Sequence, residues 1–341
     1  MPIQKDILAS TLQILRDKEV DNTFRIIPLL EAVQRTGTIE KVNGGAYVDH
    51  PVILTDHSTL TQLSTGYEAI NLAVKDPMRT ATYNWCDFVA PIVLTKKEEL
   101  SNKGEQAKVN ILQARLKQTM GMVKREVEKQ LIRGNSTVLT ELQTLNGTSA
   151  AAGTGWFEGA AFGSQGNTVG GIAKSGFPLS WQNHVQNGSF AANGLKKMQQ
   201  LLIDIQQTAP EGDVDIILAS PLSYGLYKDE LQQLERYVSA TEQRNMAGRL
   251  GLEFNGAAMY IEPNLGFTGT IDRVAPTTAP VSMYFLNSKL FTVYFDQDAF
   301  FSLEEPDMIS GYAAFSQNLL VRMQLATSNL SGHGILVNAE T

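Results

Sequence analysis

Residues 105–133 constrain this chain more than any other stretch. Apolar side chains fall at Val109, Leu112, Leu116, Met120, Val123, Val127 and Leu131. The steps are always three or four residues, so the seven line one face of a helix. Gly134-Asn135 supplies the stop. At about 1.5 Å per residue the helix runs roughly 40 Å. An element that long is a spine against which other elements pack, with Leu112, Leu116, Met120 and Val123 as the core-facing stripe. The spacing alone equally suits a long core helix of any fold. Gly121 lies inside it and costs about 1 kcal/mol against alanine, which marks a bend or a close backbone approach.

Before the spine the character changes twice. Residues 6–18 carry Ile7, Leu8, Leu12 and Leu15 on one helical side, and charges at 17–21 interrupt them; this reads as an N-terminal arm. A short helix is expected within 24–33, starting at Pro28, because proline is tolerated in a first turn. Gly44-Gly45 then punctuates the chain. Residues 46–54 and 80–95 are rich in Thr, Val, Tyr and Ile and read as two extended strands. The stretch 55–77 between them, with Gly66 and an Asp76-Pro77 stop, reads as a polar tip. Two strands with so long a tip form a projecting hairpin. A lone two-stranded ribbon is marginal in water, so it needs a neighbour to lie on.

After the spine, residues 147–176 hold nine glycines interrupted by Trp156, Phe157 and Phe162. The aromatics favour an ordered loop over a disordered one. An α/β segment follows: a helix through Leu195, Met198, Leu202 and Ile205, then a buried strand at 214–219. Ser220 caps a helix that begins at Pro221. Strands are expected at 252–261 and 282–295. In the tail, 311–337, Leu319, Val321, Met323 and Leu325 alternate with Leu320, Arg322, Gln324 and Ala326, the pattern of one or two closing strands. No internal repeat or low-complexity tract is present.

Charge and composition remove several functions. The net charge is −7 with no run of Lys or Arg, whereas gripping DNA requires clustered cations that displace phosphate counterions. Charged residues make up 18% of the chain, below the roughly 25% of average globular proteins, which gives a slight edge to a surface hidden against copies of itself. Cys86 is the single cysteine, so no intrachain disulfide forms. No basic region leads into an apolar stretch at the N-terminus, so no secretion signal is expected. No apolar run approaches the roughly 18 residues of a transmembrane helix. The sequons at Asn135 and Asn187 then read as chance matches.

Catalytic patterns are missing as well. The G-x-S-x-G elbow does not occur, and 163–166 lacks its spacing. The glycines of 163–171 are not followed by Gly-Lys-Ser/Thr, so they form no phosphate loop. Gly153, Gly155 and Gly159 miss the dinucleotide spacing. Asp49-His50 and Asp56-His57 are the best metal candidates, but four histidines in 341 residues, two beside Asp in a polar stretch, read as solvated residues. Glu304-Glu305 point to opposite sides of a strand and do not form an acid–base pair. Cys86, beside Trp85, reads as a small apolar filler.

Taken in order, the segments resemble the major capsid proteins of tailed bacteriophages, whose fold is shared with encapsulin shells. Pro28-Leu-Leu-Glu31 and Val42-Asn-Gly-Gly45 resemble the start of that family's extended loop, and Gly66-Tyr67-Glu68-Ala69-Ile70 its tip. Ala81-Thr-Tyr83-Asn-Trp85 to Ile92-Val-Leu-Thr95 resembles its returning strand. Asn167-Thr-Val-Gly-Gly171-Ile and Trp181 resemble the loop after the spine. Asp215-Ile-Ile-Leu with Ser220-Pro221 resembles the apical strand and helix, and Tyr284-Phe-Leu-Asn287 and Gly334-Ile-Leu336 complete the series.

The resemblance implies an α+β capsid fold: arm 1–23, start of a peripheral domain 24–44, extended loop 45–90, peripheral domain with spine helix 91–145, apical domain 146–295, and a return to the peripheral domain at 296–341. It implies a structural protein without cofactor or catalytic site, self-assembling from hexamers and pentamers into an icosahedral virion head built in the host cytoplasm. The head encloses double-stranded DNA without reading its sequence. A separate scaffolding protein, a portal and a decoration protein are the implied partners, and no membrane. Gly66, Tyr67 and Lys75 are its implied assembly residues. Lys75, the sole lysine between Lys41 and Lys96, is the one loop candidate for the Lys–Asn cross-link of some relatives, though a plain solvated lysine fits better. Two rivals stand: an encapsulin-like nanocompartment, and an α/β hydrolase-like enzyme, which the missing nucleophile weighs against.

Overall fold

The computed structural model describes residues 27–56, 59–64, 66–73, 76–101, 111–133, 142–146, 155–209, 212–234, 243–244, 250–265 and 281–337. The arm expected at 6–18 lies outside the described residues. The architecture is α+β, built on two mixed sheets. The six-stranded sheet is organised around the long strand Ala314–Thr327, which pairs antiparallel with Phe291–Asp296 on one side and with Cys86–Thr95 on the other. Ile39–Val42 adds in parallel beyond Phe291–Asp296. The seven-stranded sheet runs Gln243–Arg244, Leu250–Phe254, Ala257–Ile261, Ile216–Ala219, Val281–Leu286, Gly334–Val337, His184–Asn187.

The seven-stranded sheet is buried on both faces, so its central strand Ile216–Ala219 is a continuous apolar run with no alternation. Ile217, Met259, Met283, Phe285 and Leu336 face Met198, Leu201 and Ile205 of helix Phe190–Thr208. From the other face, Ile216, Leu218, Tyr284 and Ile335 join the main core with Trp156, Phe157, Phe291 and the spine helix. Helix Pro221–Leu234 starts as the sequence reads, with Ser220 Oγ accepting from Ser223 N at 3.1 Å.

Three expected strands are each two. The segment 80–95 divides at Trp85: Met78–Asn84 returns the hairpin, while Cys86–Thr95 leaves it for Ala314–Thr327. Trp85 anchors the break, its ring buried and its Nε1 donating to Gly45 O at 3.0 Å. The segment 252–261 is a hairpin turning over Asn255 and Gly256, both at positive φ, the conformation that an Asn-Gly turn favours. The segment 282–295 changes sheets. Val281–Leu286 lies in the seven-stranded sheet and Phe291–Asp296 in the six-stranded one, with the short 3-10 turn Ser288–Leu290 between them. Gly334–Val337 likewise returns to the seven-stranded sheet. Sheet membership thus follows strand pairing and not chain order.

The described part of the spine helix is Ile111–Arg133. Val123, Val127, Leu131 and Ile132 are buried. Leu116 and Met120 are half-buried and Lys117 is exposed, and the side chain of Leu112 lies outside the described residues. The stripe thus deepens toward the C-terminal half, where the helix packs on Thr144–Asn146.

That half also carries Glu128, only 1% exposed. Its carboxylate accepts from Leu29 N at 2.6 Å and Leu30 N at 3.0 Å. These are first-turn amides of helix Pro28–Thr36, which has no side-chain cap of its own. Glu128 supplies the missing acceptor, favoured by the positive end of the helix dipole. Glu262, buried just after Ala257–Ile261, hydrogen-bonds to Glu128 and also accepts from Asn264 N at 2.8 Å. Burial first, and then the charge and hydrogen bond of Glu262, push Glu128 well above the usual carboxylate range. The pair joins spine, N-terminal helix and seven-stranded sheet, and two carboxyls this close in a buried site favour holding a proton between them.

A carboxyl whose folded pKa is raised holds its proton more tightly in the folded state. Its contribution is fully present below the ordinary carboxylate pKa and is lost as pH rises through the folded value. Glu262→Gln, whose amide can donate in place of the shared proton, should raise Tm over the parent at alkaline pH. The gain should shrink as pH falls toward the carboxylate range. A parent-to-variant difference that does not vary with pH would show that no proton is shared.

Candidate assembly surface

Strands Tyr47–Ile53 and Met78–Asn84 form the hairpin in register Val48 opposite Tyr83 and His50 opposite Ala81. The alternation is clean. Val48, Val52, Ala81 and Tyr83 are buried, and their neighbours Tyr47, Ile53, Met78 and Thr82 are exposed. The inner face rests on the chain's own glycine-rich loop. Thr82 N donates to Gly170 O at 3.0 Å, and Ser180 Oγ donates to Leu54 O at 2.8 Å. Tyr83 donates to Thr327 O at 3.3 Å, and burial pushes its hydroxyl pKa up. The root of the hairpin therefore belongs to the subunit's core. Of the glycine-rich stretch 147–176 the described part is 155–176, where Trp156 and Phe157 are fully buried, as is Trp181 just beyond it.

Beyond the root the bonds become local. Leu54 N to Pro77 O, 3.1 Å, closes the hairpin. In the tip the chain is held by short local bonds, such as Ser64 N to Glu68 and Asn71 N to Thr61 Oγ1 at 3.2 Å. Leu60 is 98% exposed, Tyr67 97% and Leu72 86%, and Leu63 and Ile70 are exposed too. Gly66 sits at the tip with φ +80°, and Lys75 lies outside the described residues. The sequence reading of a polar tip is thus corrected: five large apolar side chains stand in water here. Leu60, Leu63, Tyr67 and Ile70 are spaced by three and four, a signal hidden among Thr, Ser and Asn. Hiding five such groups is worth on the order of 10 kcal/mol before the cost of ordering both surfaces. Clustered exposed apolar side chains mark an interaction site.

The residues weighed for chemistry do other things. Asp49 Oδ1 accepts from Thr82 Oγ1 at 2.8 Å across the hairpin. His50 is half-buried, with Tyr294 Oη 3.5 Å from its Nδ1; burial lowers its pKa and Glu40 partly offsets that. His57 lies outside the described residues, among which no group of three or more His, Cys, Asp or Glu could hold a metal. Glu304 accepts from Asn318 Nδ2 at 2.8 Å and Glu305 is exposed. Cys86 packs half-buried against the core.

The sequence matches no protein-family profile and no curated protein. Solved structures do match. The chain is similar to a chain of the cyanophage A-1(L) capsid asymmetric unit at 15% identity, covering 97% of this chain and 98% of that one, with TM-score 0.64. It is similar to a chain of the holo-SrpI encapsulin complex from Synechococcus elongatus PCC 7942 at 13% identity, covering 98% and 95%, with TM-score 0.59. It is similar to a chain of Mycobacterium phage Cain at 14% identity, covering 97% of both, with TM-score 0.53.

Gly170 tests the seat of the hairpin. It has φ +57°, and a Cβ there would lie 2.8 Å from Ala81 Cβ and 3.0 Å from Tyr83 Cζ. Gly171 has φ +76° with nothing near its missing Cβ. Gly170→Ala should cost about 2 kcal/mol more than Gly171→Ala in thermal unfolding, since only the former adds overpacking to backbone strain. Equal losses would mean that the hairpin does not rest on Gly170.

Proposed function

We propose that this chain, whose fold is that of tailed-phage major capsid proteins and encapsulin shells, is a structural shell subunit that assembles with copies of itself around double-stranded DNA. The observation that carries this reading is the hairpin tip. A subunit acting alone gains nothing by holding Leu60, Tyr67 and Leu72 in water at the end of a braced ribbon. A neighbouring subunit under the tip accounts for them. The contact residues in this reading include Gly66, Tyr67 and, later in the same loop sequence, Lys75. The spine helix belongs to the peripheral domain, with Leu112, Leu116, Met120 and Val123 along its core stripe. The seven-stranded sheet belongs to the apical domain at the capsomer centre.

Hexamers and pentamers close an icosahedral virion head in the host cytoplasm. A scaffolding protein, a portal and a decoration protein are separate chains. The net charge of −7 suits a wall that does not trap its DNA, because contact with phosphates is not reinforced by counterion release. A second reading, a nanocompartment around a protein cargo, has the encapsulin match in its favour. The content of purified particles separates the two: nuclease-protected DNA for a head, a co-purifying protein cargo for a compartment.

The test uses the full chain, with its scaffold where one is required. Electron microscopy and light scattering should show closed shells. Tyr67→Asp with Leu72→Asp should leave the subunit's stability within about 0.5 kcal/mol of the parent, as exposed sites do, and should abolish shells. Shells at parental yield from the double variant would remove the tip from the assembly contact.

A further inference from the structure

The net charge of −7 is not spread evenly along the chain. From Ile111 to Arg125 the spine helix carries Arg115, Lys117, Lys124 and Arg125 and no acid. Between Lys289 and Arg322 the chain carries Asp296, Asp298, Glu304, Glu305 and Asp307 and no Lys or Arg. The helix packs on Cys86–Thr95, and the acidic stretch pairs with Ala314–Thr327. One sheet therefore carries two surfaces of opposite sign.

Helix geometry sets the basic face. At about 100° per residue, Lys117, Met122, Lys124 and Arg125 fall within an arc of about 160°. Leu116, Met120, Val123 and Val127 turn the other way, toward the core. Lys117, Met122 and Lys124 are exposed and Arg125 is half-buried. Met122, 48% exposed, is thus an apolar side chain in water with cations around it. Arg115 is held apart from this face by its ion pair with Glu98 at 2.6 Å.

The acidic face is built on two short edge strands. Ser302–Leu303 and Asp307–Met308 both pair with Ala314–Thr327, and Glu304-Glu305-Pro306 turns between them. Glu304 pins the turn: its N donates to Asn318 O at 3.0 Å, and its carboxylate accepts from Asn318 Nδ2 at 2.8 Å. Glu305 and Asp307 are exposed, beside Met308 at 62% and with Tyr312 at 72% just beyond. Each face therefore sets apolar side chains in water among charges of one sign. That is the make-up of a contact whose apolar groups supply affinity and whose charges choose the partner and the register. Within one subunit the faces do not meet. Among the described residues Lys117 and Lys124 form no ion pair with a carboxylate, and Glu305 and Asp307 form none with a cation. Lys124 Nζ lies instead over the Phe301 ring, 5.7 Å from its centre.

We infer that the basic face of the spine helix, at Lys117, Met122 and Lys124, docks on the acidic turn of a second copy, at Glu305, Asp307 and Met308. The inference rests on the shell reading above and names a contact separate from the hairpin tip. Charge complementarity identifies the occupant, because every copy of the chain carries the acidic surface that fits. The two faces differ, so the contact is head-to-tail: each copy gives one face and receives the other. Such a contact propagates and closes into rings, where a contact between identical faces would stop at a pair. It also leaves the cations of the spine engaged with protein, in keeping with a wall that does not trap its DNA.

The experiment is charge reversal with rescue in the full chain, with its scaffold where one is required, read as shell yield by electron microscopy and light scattering. Lys117→Glu with Lys124→Glu, and separately Glu305→Lys with Asp307→Lys, should each cut the yield at least about 10-fold, because each sets like charges face to face. All four substitutions together restore opposite charges and should bring the yield back to within about 3-fold of the parent. Circular dichroism and thermal unfolding should match the parent throughout, since the sites are exposed. Should the reversed helix misfold, Lys117→Gln with Lys124→Gln tests the same face and should also lower the yield. Parental yield from either reversal, or no recovery in the folded four-site variant, would overturn the inference and leave the shell reading standing. Parental yield from Lys117→Glu with Lys124→Glu, in shells that have lost nuclease-protected DNA, would overturn it by assigning the basic face to nucleic acid. A parent chain that forms neither shells nor smaller oligomers would overturn both.

Discussion

Strand Ala314–Thr327 is the constraint on which the rest depends. It pairs with Cys86–Thr95 along one edge and with Phe291–Asp296 along the other. Cys86–Thr95 is more than two hundred residues away in sequence from the strand it pairs with, and the two edge strands are each a point of departure. Cys86–Thr95 emerges directly from the hairpin, and Phe291–Asp296 emerges directly from the seven-stranded sheet. One ladder therefore fixes both the angle of the hairpin and the position of the second sheet. Leu319, Val321, Met323 and Leu325 put its inner face in the core. On its outer face Arg322 meets Asp87 across the ladder at 3.1 Å. Pairing at the separation of Cys86–Thr95 from Ala314–Met323 is slow to form.

Around that ladder the molecule divides into a root braced by other parts of the chain and a tip held by short local bonds. Gly170, Ser180 and Thr327 each hold the root by a hydrogen bond. The tip carries its apolar side chains beyond all of these. The division has a physical sense in a subunit that must present a contact before its partner arrives. Rigidity at the root keeps the loss of orientational freedom small on docking, while the apolar tip supplies the driving force. The buried carboxyl pair at Glu128 and Glu262 serves the same end by fixing the spine against the second sheet.

The parts of this structure that repeat along the chain were legible in its sequence. The Ser220-Pro221 helix start, the Pro28 helix and the alternation of the closing strand are local signals and each folds as it reads, while the spine stripe is buried from Val123 onward. Partners were not legible. Nothing near Trp85 says that the strand before it and the strand after it join different sheets, and the same holds at Asn287 between Leu286 and Phe291. Glu128, Lys174 and Glu262 look like surface residues in a sequence because charge is normally solvated. Their burial follows from amides and carbonyls brought in from Leu29, Trp156 and Asn264 by tertiary packing. At the tip, Leu60 and Tyr67 were masked by their polar neighbours. The capsid resemblance rested on segment order, and segment order is what the fold preserves.

The central claim is that the tip is ordered by a neighbour and not by its own subunit. Amide hydrogen exchange over 59–73, in the free subunit and in assembled shells, tests it most directly. The account predicts rapid exchange in the free subunit and exchange slowed by about 100-fold or more in shells, with Ala314–Thr327 protected in both states. Equal exchange at the tip in the two states would contradict it.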